Sequence, residues 1–375
     1  MSRFSSYLLL VLLGGALTVH GGELLEDPGR PPSGAERSFS TDFSRATVPF
    51  DSIISGGPPK DGIPSIDSPS FVSPQKADEW IEESEPVLLL RYRGEVRVYP
   101  LQILMWHEIV NDRIDGRSVA VTYCPLCNTG IAFRGEIDGR ELDFGTTGRL
   151  RYSNLIMYDR QSETWWQQAS GEGLVGRYAG RSLELLPINL ISWGEIEDQR
   201  SRGFYEEARV LSRDTGYSRS YGTNPYREYD SRKSPFLYRG PEVDESQHPM
   251  ERVISVQVDD QERAYTYSRL RDEKVVHDTL DGRRIVLFWQ PGTSSALDAS
   301  SIAEGKDVGS IAAFFPRAAG ERLEFYHDGS KIRDRSTGSS WSVSGIATEG
   351  ELAGTQLDSP VAVNHFWFSW NAFRK

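Results

Sequence analysis

The sequence predicts an α+β fold that is predominantly antiparallel β, built as a tandem duplication of a β-rich unit with one helix in each copy. Three observations predict it. Short runs rich in Val, Ile, Tyr and Phe are separated by Arg93-Gly94, Asp115-Gly116, Asp138-Gly139 and Asp281-Gly282, the pattern of strands joined by tight hairpins. The 375 residues hold 35 Gly and 20 Pro, which favours many turns over long helices. Residues 87–126, set against 253–292 at an offset of 166, share ten identities in 40 positions, the mark of an internal repeat. The common frame includes Arg97 and Arg263, Tyr99 and Tyr265, Asp112 and Asp278, and Pro125 and Pro291. After an insertion of about nine residues, Asp159-Arg160 meets Asp334-Arg335 and Trp166 meets Trp341, while Ser369-Trp370 echoes Ser192-Trp193.

In chain order, residues 1–21 read as a signal peptide: Arg3 precedes 13 apolar residues and a small-residue exit at Val19 and Gly21. The run is shorter than the roughly 20 residues of a spanning helix, and an uncleaved anchor is the alternative. The expected mature protein is secreted or in the periplasm or cell envelope, with no membrane span. Residues 22–49, rich in Pro, Gly, Ser and charge, read as a flexible tether. Residues 50–84 form an extended leading segment whose Ile53, Ile54, Ile63, Ile66 and Phe71 anchor it to a folded body. The first unit spans 85–200, a connecting loop region 201–250, and the second unit 251–375.

Within the first unit, residues 87–99 hold two strands about Arg93-Gly94. Leu101–Ile114 reads as the helix, with Pro100 at its first turn. Residues 118–123 read as a strand, and 130–144 as a hairpin about Asp138-Gly139. Charge bounds the partners: 42 basic against 54 acidic residues gives a net charge of −12, and no basic stripe is present, so nucleic acid is not an expected partner.

The chemistry rests on the two cysteines of the chain, Cys124 and Cys127, in Cys-Pro-Leu-Cys. A count of two rules out a disulfide-stapled scaffold and a four-cysteine zinc site within one chain. Three readings follow from the spacing: a thiol redox pair, part of a metal site, or a structural disulfide in an exported protein. A bridge over a four-residue loop stabilises by only about 2 kcal/mol, against roughly 4.7 kcal/mol for a 100-residue loop. The second unit has Gln290-Pro291-Gly292-Thr293 at the same place, without thiols. Both points favour a redox pair, acting on a small molecule or a thiol protein that the sequence leaves unnamed, and with no cofactor.

His107 falls on the helical line Ile103–His107–Val110–Ile114, and its counterpart in the thiol-free unit is Glu273. It is the candidate proton acceptor for a thiol, or a further metal ligand; a hydrogen-bonded core histidine is the plain alternative. In the metal reading Cys124, Cys127, His107 and Met157 would hold copper or zinc, the soft donors suiting Cu(I), although Met alone is commonly core filler. A third reading is a non-enzymatic module whose aromatic loop 215–229 holds a ligand.

Several motifs resemble those of an exported bacterial and archaeal family, domain of unknown function 3179. They are DGIPSIDSPSF, RVYPLQILMWHEIVND, VTYCPLCNTGIAF, LIMYDR, TGYSRSY with NPY, and the terminal FWFSWNAF. The resemblance runs from about residue 50 to the C-terminus. It implies site roles for Trp106, His107, Glu108, Asn111, Asp112, Cys124 and Cys127, with Tyr123 beside them in the same motif. Some members are labelled selenoproteins, which would favour redox use of the cysteine positions. One departure is Asn128, where a small residue, usually Gly, is expected after the second Cys. In thioredoxin the first Cys begins a helix, whose dipole lowers its pKa. The residues after Cys127 here read as turn and strand, so activation falls to His107 or to backbone donors.

Overall fold

A computed structural model describes residues 22–374. They form a β-rich structure of mostly antiparallel sheets with short helices. A hairpin of Pro86–Tyr92 with Glu95–Pro100 leads into the helix Leu101–His107, then into a second hairpin of Ile109–Ile114 with Arg117–Cys124. The same order recurs with Arg252–Val258, Gln261–Thr266, Tyr267–Glu273, Val275–Leu280 and Arg283–Gln290, each element 166 residues further on. The turns are alike too: Asp115-Gly116 and Asp281-Gly282 both take the left-handed conformation at φ 46 and 73, and 46 and 71, which suits the twist of a two-residue hairpin.

The helix expected over Leu101–Ile114 ends at His107. Glu108 (φ 58) caps it in the left-handed conformation, as Lys274 (φ 66) caps its counterpart. The chain then continues as a strand, so Val110 and Ile114 do not share a helix face with His107.

Each half continues into a four-stranded meander. In the first it is Phe144–Arg151, Asn154–Asp159, Trp165–Gln167 and Gly173–Val175, with Ile53–Ser55 added at its edge. In the second it is Phe325–His327, Ile332–Asp334, Ser340–Trp341 and Ala347–Glu349. Asp159 accepts from Trp166 Nε1 and Asp334 from Trp341 Nε1, both at 3.0 Å. Arg160 turns away to Asp61 and Asp67, at 3.4 and 3.2 Å.

The halves interlock through their last strands and helices. Ile188–Ser192 pairs with Pro86–Tyr92 and, at Leu190, bridges Ile311 of the second half, joining strands of both halves in one eight-stranded sheet. Val361–Phe366 pairs with Arg252–Val258 and lies beside the first half's Thr129–Arg134, where His365 Nδ1 meets Thr129 Oγ1 at 3.2 Å. The helix Trp193–Ser201 packs Ile196 into a core with Phe288 and Trp341. Its counterpart Trp367–Phe373 packs Phe368 into the core of Cys124 and Cys127. Trp193 therefore answers to Trp367, three residues before the expected Trp370.

Residues 22–49 do not hang free as a tether. Phe39, Ala46 and Val48 are buried, Phe39 meets Trp165 edge-on at 5.1 Å, and Ala46 bridges Val175. A few apolar residues suffice because they dock on a sheet already formed. From 201 to 250 the chain is mostly irregular, apart from the helix end at Ser201, Arg209–Leu211, which runs parallel to Glu95–Pro100, and a turn at Tyr229–Ser231. Among the described residues no helix is long and apolar enough to cross a membrane; the expected signal peptide, residues 1–21, lies outside them.

Candidate functional site

The strand Arg117–Cys124 reverses through a single turn of 3-10 helix, Pro125–Cys127, and returns as Thr129–Arg134, with Cys124 paired to Thr129. Pro125 suits the first position of that turn because its missing N–H is not needed there. Asn128 closes it at φ 53 and ψ 40. Asn is among the few side chains that visit this region readily, which explains why it replaces the expected small residue. Its Oδ1 accepts from Tyr123 OH at 3.0 Å.

This reversal places Cys124 and Cys127 only 3.9 Å apart, as free thiols that are 1% and 0% exposed. Cys124 Sγ donates to the Ser153 carbonyl at 3.8 Å. Tyr152 and Ser153 form a two-residue turn at φ 53 and 66, a conformation usually left to Gly or Asn. The Ser153 hydroxyl donates to Phe236 O at 2.5 Å, and Tyr229 OH donates to Leu126 O at 2.9 Å. Residues 226–238 thus form a cover over the turn, with Tyr226, Tyr229 and Tyr238 packed on the thiol core.

Burial sets the protonation of this site. It pushes the Cys124 thiol well above its usual range, helped by the adjoining Cys127 thiol. It pushes the Glu108 carboxyl well up too, and the charge of a Cys124 thiolate adds to that. The Tyr226 phenol rises through burial and then through Glu108 and Cys124. Cys124, Glu108 and Tyr226 therefore share one dry environment in which each favours its protonated form.

His107 occupies the end of its helix, fully buried. Nδ1 lies 2.8 Å from Pro64 O and Nε2 2.7 Å from Tyr221 OH. A carbonyl only accepts, so Nδ1 carries the proton and Nε2 accepts from Tyr221. Tyr221 in turn lies 2.6 Å from Thr215 Oγ1. Burial lowers the His107 pKa, in keeping with this neutral form. Both ring nitrogens are spent on that chain, which is the geometry of a core histidine. Besides Cys127, the titratable groups that feel the Cys124 charge include Glu108 and Tyr226.

The remaining candidates divide. Asn111 Nδ2 donates to Asp67 and Phe144 O at 2.7 and 2.8 Å, tying the leading segment to the meander. Asp112 accepts from Tyr99 OH at 2.7 Å and lies 3.4 Å from Arg97, a bracing role. Trp106 is half-buried against the core. Met157 is buried in its strand opposite Trp166. Among the described residues no three His, Cys, Asp or Glu side chains group closely enough to hold a metal ion. The set of Cys124, Cys127, His107 and Met157 is therefore not assembled as copper or zinc ligands.

Sequence reasoning missed His365, Ser153, Tyr221, Tyr226 and Tyr229. Tyr221 and Tyr226 fall inside TGYSRSY and NPY, and that recurrence of aromatic residues was their one signal. The aromatic loop 215–229 turns its Tyr221, Tyr226 and Tyr229 inward. His365 comes from the thiol-free half, yet stands 3.2 Å from Thr129, whose Oγ1 donates to Cys127 O at 3.1 Å. Burial depresses its pKa to about 3, so it is neutral. Two clefts, of about 480 and 350 Å³, open elsewhere, and neither is lined by a cysteine.

No curated protein and no solved structure matches the chain. The family profile described as "Protein of unknown function (DUF3179)" matches residues 60–375, a span that holds both halves and every residue of the thiol site. The chain belongs to the DUF3179 family.

Proposed function

We propose that Cys124 and Cys127 are a two-electron thiol–disulfide couple in an exported protein, and that the cover 226–238 gates it. The observation that carries this reading is the pair itself: two thiols 3.9 Å apart in a reversal whose counterpart, after Gln290, does without thiols. On oxidation the two S–H bonds are lost and an S–S bond forms between Cys124 and Cys127. The two electrons and two protons pass to a disulfide on a small molecule or protein, which becomes two thiols. The same reading takes the two halves as copies of one unit, of which the first alone carries the couple.

The test is equilibration in defined thiol–disulfide buffers, with alkylation and mass measurement of the fraction oxidised. The expected midpoint lies above about −300 mV; a lower value marks an inert structural bridge and overturns the proposal. Cys124→Ser and Cys127→Ser should each abolish the transition.

A further inference from the structure

In the second half's sheet Val253 stands opposite His365, and Ser255, two residues on, shares their face. In the first half the same register sets Val87 opposite Ile191, with Leu89 two residues on. Val253 and Ser255 follow Val87 and Leu89 by the same 166 residues that separate the other paired elements. Two buried apolar positions, Ile191 and Leu89, are thus answered by two buried polar ones, His365 and Ser255, at 4% and 2% exposure. A polar group taken out of water is costly unless it is hydrogen-bonded. The partner that compensates this exchange is the cysteine turn.

The bonds run in one direction. Thr129 is fully buried, and its hydroxyl donates its single hydrogen to Cys127 O at 3.1 Å. Toward His365 Nδ1, 3.2 Å away, Thr129 Oγ1 can therefore only accept. Nδ1 carries the ring proton, and Nε2 is left to accept from the Ser255 hydroxyl at 3.3 Å. Ser255, His365, Thr129 and the Cys127 carbonyl form one buried chain from the second half to the turn between the cysteines. It is complete with both cysteines as thiols. The thiol-free half, with Ile191 and Leu89 at these places, cannot form it.

We infer that His365 and Ser255 are positioning residues of the thiol couple, which through Thr129 hold the Cys127 turn in its dithiol geometry. This role rests on the redox reading above, to which it adds that the second half sets the poise of the first. An S–S bond is about 2.05 Å long, whereas the two cysteines stand 3.9 Å apart. Closing the bond draws Cys127 toward Cys124 against the hold on its carbonyl, so the chain favours the thiols. Breaking it favours the disulfide.

Equilibration of the whole protein in thiol–disulfide buffers, with alkylation and mass measurement, tests this. His365→Phe and Thr129→Val should each shift the equilibrium about tenfold toward the disulfide, a midpoint about 30 mV more negative. Thr129→Ser keeps the hydroxyl and should keep the parental midpoint. The two shifting substitutions together should move it no further than one alone, because they break the same chain. Parental midpoints in both single variants, a shift toward the thiols, an equal shift in Thr129→Ser, or additive shifts in the double variant overturn the assignment. The shift is read whether the parental midpoint lies above or below −300 mV, so the redox reading and the positioning role fail separately. Should His365→Phe lose its cooperative melting transition, Thr129→Val set against Thr129→Ser decides alone.

Discussion

Cys124 is joined to its strand partner Thr129 by four intervening residues, whereas Gln290 and Ser310, the matching pair of the second half, are separated by nineteen. The tight reversal leaves little backbone to expose, and two layers close it. The leading segment lies along Ile109–Ile114, with Ile66 N donating to Ile109 O at 2.9 Å, and the cover 226–238 lies over the turn. At the longer reversal the chain instead runs out toward the connecting loop, where Ser300 O accepts from Asn224 N at 2.8 Å. The end of the Arg283–Gln290 strand is left lining a cleft. Helix exchange then sets the polarity. The third residue of the exchanged helix is Ser369 at the sealed corner and Glu195 at the open one. One framework thus supports a sealed, dry corner or an open, polar one, and loop length with a few helix residues selects between them.

The sharpest way to break this contrast is to unseal the first corner. Tyr229 holds both reversals, its OH on Leu126 O and its amide on Leu297 O, each at 2.9 Å. Tyr229→Ala removes a buried aromatic side chain and should cost about 3–5 kcal/mol. It should also turn slowly labelled thiols into rapidly labelled ones under native conditions. Tyr229→Phe keeps the ring and loses two hydrogen bonds of its hydroxyl, to Leu126 O and from Phe236 N, about 1–2 kcal/mol, and should leave the thiols protected. Urea unfolding and timed thiol labelling give both readouts; equal labelling rates in the two variants would show that the ring is not the seal.

The open corner has its own signature in pH. Burial raises the Glu195 carboxyl to about 7 despite its hydrogen bonds to serine hydroxyls. A carboxyl that holds its proton more tightly folded than unfolded contributes stability below its unfolded pKa and loses it as pH rises through the folded value. Between about pH 4.5 and 7 the folded protein should therefore lose up to about 3 kcal/mol from this group. Glu195→Gln should flatten that part of the profile, measured by denaturant unfolding across the window. Glu85, also raised to about 7 by burial, keeps its own slope of the same sign in both proteins.

A smaller effect belongs to the turn itself. Asn128 stands at φ 53, where a branched side chain is strained by about 1–2 kcal/mol. Asn128→Val should show that loss in urea unfolding, and Asn128→Gly should recover the backbone part of it. A Val variant as stable as the parent would mean that the turn relaxes.

These residues also show what was legible in the sequence. The hairpins, the offset of 166 and the cysteine turn were readable because they are local: strand periodicity, Gly at turns, and two thiols three residues apart. The end of the first helix was not. Ile103, His107, Val110 and Ile114 happen to fit a helical line, and nothing in IVNDRI announces that Glu108 will take a left-handed cap. The docking of Phe39 and Val48, and the cover by Tyr226 and Tyr229, depend on surfaces made by strands far along the chain. His107 was legible as buried but not as spent, since its partners Pro64 and Tyr221 lie 43 and 114 residues away.

The finest contrast is a triad present in both halves. Tyr99 OH donates to Asp112 Oδ2 at 2.7 Å with Arg97 beside it, and Tyr265 OH donates to Asp278 Oδ2 at 2.7 Å with Arg263 beside it. The bonds match, but the surroundings do not. Arg97 and Asp112 are buried, at 3% and 5% exposure, whereas Arg263 and Asp278 reach solvent at 50% and 25%. Desolvation therefore wins at Asp112 and raises its pKa, while the hydrogen bonds and the arginine together win at Asp278 and lower it. The two must pull stability in opposite directions. Asp112 loses its contribution as pH rises past its unfolded pKa, and Asp278 loses its contribution as pH falls below that value. Relative to the parent, Asp112→Asn should improve on raising the pH through the carboxylate range, and Asp278→Asn should worsen. Unfolding free energies at pH 3.5 and 6 give the sign directly; two slopes of one sign would mean that burial does not distinguish the halves at this triad.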